Sequence, residues 1–289
     1  MENSRYRAFL ASVETGSFSK AAEQINYTPS GVCQLVNALE KEFGFQILTR
    51  GRHGVKPTSE GEMVLDVIRD MLHQEERLTQ LSADINGLAV GEISVGSYSS
   101  VATHWLPAVI KEFQQMYPCI KIKLMEGIRQ ENEAWLESRQ VDLAFISHGT
   151  FMPYDWIPLA EDPMVAILPA DHPLAGAEAY PLENCQYERF IMPGKGNDED
   201  VLAMFQKNHL APKIAFSTLE NFATLAMIEQ GMGMSIMNDL ITKRWQFSAV
   251  KLPLIPPQSI TLGIAISSYK LASPAVRRFA DFATQKLQK

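Results

Sequence analysis

The sequence predicts a protein of two parts, a short all-α segment that ends in a small β wing and a larger α/β domain. The chain has 289 residues, which is the length of about two domains. Apolar residues recur at helical spacing in the first segment, whereas short strands alternate with helices from Gly91 onward. We expect an N-terminal domain over residues 1–58, a linker helix over 59–88 and a second domain over 89–289.

Composition is that of an ordinary globular protein and excludes several other classes. Hydrophobic residues make up 46% of the chain and charged residues 20%. No run of about 18 apolar residues occurs, so no transmembrane helix is expected. The first residues lack the long apolar run of a signal peptide, and Cys33, Cys119 and Cys185 form neither a CxxC pair nor a His/Cys cluster. These features predict reduced thiols, a cytoplasmic location and no metal site.

Charge is unevenly distributed along the chain. The net charge is -7, but residues 1–57 contain seven Lys and Arg against five acids and are therefore at +2. The remainder then carries -9. Only the N-terminal segment is electrostatically suited to meet phosphate, and only mildly so.

The first segment contains three short helices and a wing. Tyr6, Phe9 and Val13 belong to a helix that Gly16 ends, and Ser17 or Ser19 caps a second helix that runs from Lys20 to Ile25. Thr28 followed by Pro29 predicts the start of a third helix, which ends at about Phe43 before Gly44. Its inward face is formed by four aliphatic residues, Val32, Leu35, Val36 and Leu39. The short, basic segment 46–57 suits a two-stranded wing.

A long helix without proline is expected from Thr58 to about Asn86, with Ser59 and Glu62 as its capping box. Five apolar residues form a seam at a/d-like spacing, namely Val64, Ile68, Met71, Leu78 and Ile85. This seam has two interpretations: it pairs two chains, or it packs on its own domain.

The remaining residues predict a mostly parallel α/β sheet. Strands are expected at 93–96, 120–125, 141–147, 164–168, 190–192, 214–216, 234–237 and 260–267. Helices are expected at 102–117, 132–138, 222–230 and 274–286.

The third helix has the polar start that a DNA-reading helix needs. Thr28, Pro29, Ser30 and Gly31 put small residues and free N–H groups at its beginning, where bases and phosphates are met. Gln34 and Asn37 follow, and both residue types can contact adenine with two hydrogen bonds. The spacing alone equally fits an amphipathic helix with a polar outer face.

Specific motifs resemble those of the LysR-type transcriptional regulators. The segment FLASVETGSFSKAAE at residues 9–23 carries most of the resemblance, together with Leu39-Glu40, Phe43-Gly44, Leu48-Thr49-Arg50 and Thr58-Ser59-Glu60-Gly61. Sparser similarity follows at Leu106-Pro107, Tyr117-Pro118, Asp142-Leu143-Ala144-Phe145, His172-Pro173-Leu174-Ala175 and Gly231-Met232-Gly233-Met234.

The resemblance implies a winged helix-turn-helix, a linker helix that dimerises and a periplasmic-binding-protein-like domain of two α/β subdomains around an effector cleft. We place the first subdomain at about 89–161 and 268–289 and the second at about 162–267. The implied function is a sequence-specific, effector-modulated regulator of transcription. Its partners would be double-stranded promoter DNA, a second copy of itself (usually within a tetramer) and, as a further candidate, RNA polymerase.

The third helix departs from the family pattern because it is poor in positive charge. Cys33 stands where members usually have serine, and Gln34 where they have a basic residue. Phosphate contacts then depend more on five other residues, Lys20, Arg50, Arg52, His53 and Lys56, and we include Ser17 and Ser19 in the DNA-contacting set. Arg50 has a second interpretation, a structural salt bridge with a helix acid.

Hydroxyl-rich residues mark the expected effector cleft. Ser97, Ser99, Ser100 and Thr103 lie where the first strand ends and a helix begins, which suits a carboxylate or other anion. Other strand ends and helix starts add further candidates at the same rim, namely Ser147, His148, Gly194, Asn221 and Phe222. None of these residues is Arg or Lys, so we expect neutral donors to bind the effector, with no other cofactor. His148 also fits a surface histidine outside the site.

Two other classes of function compete with a regulator. An enzyme would need a recognisable site, but the chain has no GxSxG, HExxH, P-loop or Rossmann glycine motif, and nothing arranges Ser100, His148 and an acid as a triad. A small-molecule-binding protein without a DNA-binding role would not need the N-terminal segment. We therefore expect a regulator that is not an enzyme.

Overall fold

The computed structural model describes residues 3–51, 54–149 and 153–288. The chain forms two compact units, Met1–Ala89 and Val90–Lys289, which are described separately. Arg52 and His53, two predicted phosphate contacts, lie outside the described residues. In the part of the chain described, no helix has the length and apolarity that a membrane crossing requires.

The N-terminal unit contains four helices and one hairpin. Its elements are α1 (Ser4–Thr15), α2 (Phe18–Ile25), α3 (Pro29–Phe43), β1 (Leu48–Gly51), β2 (Gly54–Pro57) and α4 (Ser59–Ile85). The two strands pair antiparallel and form the predicted wing. The helix-turn-helix and wing of the sequence analysis are thus confirmed.

Local signals start and stop these helices. The Ser17 hydroxyl accepts a hydrogen bond from the Lys20 amide and is the cap of α2, so Ser17 and not Ser19 has this role. Thr28 caps α3 by accepting from the Gly31 amide, with Pro29 in the first turn. Gly44 ends α3 in the left-handed region at φ 78°, where glycine has no Cβ penalty.

The beginning of α4 differs from the predicted capping box. The Thr58 hydroxyl accepts from the Gly61 amide at 2.9 Å and donates to the Gln46 carbonyl at 2.8 Å, whereas Ser59 donates to Glu60. The cap lies one residue earlier than predicted because the Thr58 amide is tied to the Ile47 carbonyl. Gly61 packs so closely on that carbonyl that a Cβ there would lie 2.1 Å from the oxygen.

The apolar seam of α4 is divided between two environments. Ile68 is 3% exposed in the core of its own unit, and Val64 packs against that core. Met71, Leu78 and Ile85 are exposed in the single chain at 46%, 68% and 86%. The prediction of one continuous intermolecular seam is therefore wrong for Val64 and Ile68, because the first half of α4 covers α1 and the wing.

The second unit begins with three strands that alternate with three helices. The elements up to the long central strand are β3 (Gly91–Ser97), α5 (Ser99–His104), α6 (Leu106–Met116), β4 (Ile120–Glu126), α7 (Arg129–Glu137), β5 (Leu143–Ser147) and β6 (Asp155–Leu168). Then follow β7 (Tyr180–Pro181), β8 (Arg189–Met192), α8 (Glu199–Lys207), β9 (Lys213–Ser217), α9 (Asn221–Glu229), β10 (Ser235–Asn238), α10 (Asp239–Thr242), β11 (Val250–Ile255), β12 (Ser259–Ile266) and α11 (Pro274–Leu287).

The main sheet has the strand order β4-β3-β5-β12-β6-β11-β7, with β10 also paired to β6. It is mixed: β3 is parallel to β4 and β5, but β12 and β6 run antiparallel to their main neighbours. The prediction of a mostly parallel sheet is corrected here. Alternating strands and helices do not reveal that two strands cross between subdomains in opposite directions.

These crossing strands, β6 and β12, define the two subdomains. The first half of β6 pairs with β12, whereas its last residues pair with β10 and β11. Residues 262–266 of β12 pair with β5. They therefore belong to the sheet of the first subdomain and not to the predicted second subdomain of 162–267, because a strand pattern contains no information about which neighbour it joins.

Candidate functional site

The outer face of α3 is polar and accessible. Thr28, Ser30, Gln34 and Asn37 are exposed, while Val32, Val36 and Leu39 of the same helix are buried against α1 and α2. The exposed residues follow one another from the N-terminus of the helix, so the sequence-predicted set lies on one surface. This surface has the small polar start that groove reading requires.

Arg50 joins the wing to α3. Its guanidinium lies 3.2 Å from the Glu40 carboxylate, donates to the Asn37 side-chain oxygen and lies 5.3 Å from the Phe18 ring centroid. The salt-bridge interpretation of Arg50 is thus realised. Glu40 therefore partly neutralises the charge of Arg50 within the same unit, and the hydrogen bond from Arg50 orients the Asn37 side chain.

Two lysines near this surface are accessible. Lys20 on α2 and Lys56 on β2 are both exposed. Ser19 is also exposed, whereas Ser17 is half-buried as the cap of α2. Of these predicted DNA contacts, Ser19, Lys20 and Lys56 are therefore accessible, whereas Ser17 stabilises the start of α2.

In the second unit, a cavity of 340 Å³ lies between the two subdomains. Of the predicted effector residues, Ser99, Ser100, Gly194 and Asn221 line it. Thr103 and Phe222 line a smaller cavity of 30 Å³, which shares Ser99, Ser100, Asn221 and Ile241 with the larger one. Six of the nine residues that were predicted from strand ends and helix starts thus line these two adjoining cavities.

The other three predicted residues line neither cavity. Ser97 is buried and donates to the Tyr98 carbonyl. Ser147 is buried beside the cavity, where it contacts Tyr98, Arg129 and Asp200. His148 is exposed and packs edge-on against Trp156 with the ring centroids 5.2 Å apart, which matches the surface interpretation.

The cavity is lined by charged residues that the sequence analysis missed. Two are cationic, Arg129 and Lys195, so the cavity offers charged donors beside the neutral donors that were expected to bind the effector. The acids of the lining are Glu126, Glu131, Asp198, Glu199, Asp200 and Glu220. Arg129 could have been found by the same rule that selected Ser97–Thr103, because it follows β4, the parallel neighbour of β3.

Ion pairs cross the cleft from one subdomain to the other. The Arg129 Nε lies 3.1 Å from Glu199 Oε2, and the same guanidinium donates to Asp200. Ser147 Oγ lies 2.8 Å from both carboxylate oxygens of Asp200, and Tyr98 Oη lies 3.4 Å from its Oδ2. Lys195 pairs with Glu131 in the opposite sense, from the second subdomain to the first.

Burial shifts two pKa values at this crossing. Burial, followed by the charge of Asp200, raises the pKa of Tyr98 above its ordinary value, so the phenol keeps its proton and remains a donor. Burial and the neighbouring Asp200 charge also raise the pKa of Asp198 to about 6. Asp198 itself caps α8 by accepting from the amides of Asp200 and Val201.

Sequence comparisons relate both units to one family. The profile described as "Bacterial regulatory helix-turn-helix protein, lysR family" matches residues 4–62. The profile described as "LysR substrate binding domain" matches residues 86–288.

Relatives resemble the chain over nearly its whole length. YvbU of Bacillus subtilis (strain 168), an uncharacterized HTH-type transcriptional regulator, is 29% identical over 99% of this chain and 98% of its own. LrrA of Synechococcus elongatus, named a probable HTH-type transcriptional regulator, is 30% identical over 99% of this chain and 97% of its own. The crystal structure of HinK, a LysR family transcriptional regulator from Pseudomonas aeruginosa, matches with a TM-score of 0.61 at 25% identity over 99% of this chain and 98% of that one. The chain therefore belongs to the LysR family of DNA-binding transcriptional regulators with an effector-binding domain.

Proposed function

We propose that α3 and the wing read a specific operator, and that a small molecule in the cleft between the subdomains controls this binding. The observation that supports the first half most strongly is the exposed polar face of α3 that begins at the Thr28-Pro29 start. Ser30 and Gln34 would meet base edges in the major groove, while Lys20 and Lys56 would meet phosphates. Asn37 would contact a base in the orientation that Arg50 gives it.

The working form is proposed to be an oligomer. Met71, Leu78 and Ile85 extend an exposed apolar stripe along the second half of α4. A second copy of this helix would cover the stripe and present two reading helices to two half-sites, with a tetramer as the larger assembly.

The effector is proposed to bind in the 340 Å³ cavity. Its lining comes from both subdomains, so a bound molecule contacts groups whose separation depends on how far the cleft is closed. Such a molecule favours one degree of closure over another, which is the differential binding that regulation needs.

We propose a regulator that acts on DNA in the cytoplasm and has no catalytic role of its own. This proposal is supported by the different surroundings of Ser100 and His148, the two side chains that a catalytic triad would have to bring together. Ser100 lines the cleft, whereas the exposed His148 ring packs on Trp156.

Selection of DNA fragments from a randomised duplex pool by the full-length protein tests the proposal. We expect one enriched motif with two half-sites, and Gln34→Ala should weaken binding to it and relax the preference at one base position in each half-site. Gln206→Ala, the same change at an exposed position of α8, is the matched control and should bind like the parent. A parent protein that enriches no motif would contradict the proposed function.

A further inference from the structure

Three hydrogen-bond donors of the first subdomain converge at one point of the cleft. Tyr98 follows β3, Arg129 follows β4 and Ser147 ends β5, and these three strands are parallel neighbours. Tyr98 Oη lies 2.9 Å from Ser147 Oγ, and the Arg129 guanidinium also donates to that hydroxyl. A guanidinium beside a phenol and a hydroxyl is a donor set that matches the oxygens of a carboxylate.

Two donors of this set are buried and the third, Tyr98, is half-buried. The Arg129 side chain is 7% exposed, and Ser147 is fully buried. It borders the 340 Å³ cavity, since Tyr98 and Arg129 belong both to the donor set and to the lining of that cavity. Any anion held by these donors therefore lies at the junction of the two subdomains.

In the structure the anion held by this set is the side chain of Asp200. Asp200 belongs to α8 of the second subdomain, and its carboxylate contacts all three donors of the first subdomain. This carboxylate is tethered to the chain, yet its contacts are those that a free carboxylate would make.

We propose that Tyr98, Arg129 and Ser147 form the carboxylate subsite of the effector, and that Asp200 is a built-in competitor for it. This inference rests on the proposed effector function and specifies its ligand class. An effector carboxylate enters as the Asp200 and Glu199 carboxylates leave with α8, so Arg129 keeps one buried anionic partner. Such an exchange avoids the cost of either an unpaired guanidinium or a second buried anion.

Competition explains how the site would discriminate between ligands. A tethered carboxylate acts at an effective concentration on the order of millimolar or more, so a simple monocarboxylate is excluded. An effector must add further contacts, and the shared walls of the two cavities, Ser99, Ser100 and Asn221, are placed to supply them.

The experiment removes the competitor from the full-length protein with Asp200→Asn, which retains the shape of the side chain. Sodium acetate is the probe, with acetamide and sodium chloride at matched concentration as controls, and the readout is the thermal unfolding temperature of the second unit. We expect a saturable acetate response in Asp200→Asn at a concentration at least about tenfold below any response of the parent, because the competing state is gone. Adding Arg129→Gln to this variant should abolish the response.

Two further variants keep the test decisive. Glu183→Gln changes an exposed carboxylate of the second unit that lines neither cavity and should leave the acetate response of the parent unchanged. Asp200→Ala is a second variant without the competing carboxylate. It also lacks the side-chain amide of Asp200→Asn, so no group at this position can occupy the donors. Equal acetate responses in the parent and both Asp200 variants, or an equal response to acetamide, would overturn the inference. Operator binding measured on the same samples separates the two failures, since its absence in the parent would contradict the proposed function itself.

Discussion

The guanidinium of Arg50, on the first wing strand, lies 3.2 Å from the carboxylate of Glu40 on the third helix. The other oxygen of Glu40 accepts from the amides of Ile47 and Leu48 at 3.0 and 3.2 Å, where the chain enters the wing. One carboxylate thus fixes the base of the wing to the helix, and Arg50 completes the joint from the strand side. Because Arg50 also donates to Asn37, the wing and the exposed polar face of α3 are held together.

The first prediction concerns the role of Arg50. Arg50→Ala should weaken specific operator binding by about 1–3 kcal/mol, because Asn37 loses the partner that orients it. Its internal pairing predicts that the salt dependence of binding will change little. The measurement is operator affinity by fluorescence anisotropy at several salt concentrations.

Lys56→Ala is the matched comparison for Arg50→Ala. The exposed Lys56 is proposed to bind a phosphate, so its removal should lower the slope of log affinity against log salt by about 0.9 for each phosphate that is no longer neutralised. It should also weaken specific and non-specific DNA binding alike. A comparable decrease of slope in Arg50→Ala would show that Arg50 binds phosphate instead of bracing the wing.

The second prediction concerns the close approach of Gly61 to the Ile47 carbonyl. Gly61→Ala places a Cβ only 2.1 Å from that oxygen, so the start of α4 must move and the N-terminal unit should lose about 1–3 kcal/mol of stability. Gly51→Ala is the control, since a Cβ there meets nothing within 4 Å. The stability of both variants is measured by urea unfolding, monitored by hydrogen exchange of N-terminal peptides. Equal stabilities of Gly61→Ala and Gly51→Ala would disprove the close approach.

The third prediction separates the two halves of the α4 stripe. Ile68→Asp buries a charge in the core of its own unit and should unfold that unit. Leu78→Asp alters an exposed position, so the chain should stay folded but associate more weakly. Circular dichroism and light scattering distinguish the outcomes. A Leu78→Asp protein with the mass of the parent assembly would place dimerisation on another surface.

The fourth prediction follows from the raised pKa of Asp198. Its folded pKa of about 6 exceeds the unfolded value of about 3.9, so the folded protein binds more protons between those pH values. The contribution of Asp198 to stability is therefore present at low pH and is lost as the pH rises through about 6. Asp198→Asn preserves the cap of α8 but removes this titration.

The measurement for Asp198 is the difference in unfolding temperature between Asp198→Asn and the parent across pH. Because charging the buried parent carboxylate is unfavourable, the variant should gain relative to the parent above about pH 6 and lose that advantage toward about pH 4. Glu220→Gln, an exposed change in the same cleft, controls for general charge effects. A difference independent of pH would mean that Asp198 does not titrate in this window.

Much of the N-terminal unit could be derived from the sequence because its signals are local. A cap such as Thr28 followed by Pro29 acts on amides within one turn, and a stop such as Gly44 acts through its own backbone. The helix-turn-helix, the wing and the exposed polar face of α3 depend on such short-range rules. The same holds for the strand-end serines Ser99 and Ser100, which needed only their neighbours to be placed at the cleft.

Contacts between distant residues required the tertiary structure. Ile68 and Leu78 look alike in the heptad pattern, yet only packing against α1 and the wing decides that one is core and the other surface. Arg129 and Asp200 are 71 positions apart, and two strands that cross between the subdomains bring them together. The sequence by itself therefore determined the N-terminal helices, the wing and the hydroxyl side of the cleft through local hydrogen bonding and periodicity. The tertiary structure alone decided the charges of the cleft and the path of β12, because pairing across a sheet or an ion pair depends on what folding places opposite a residue and not on its neighbours in the chain.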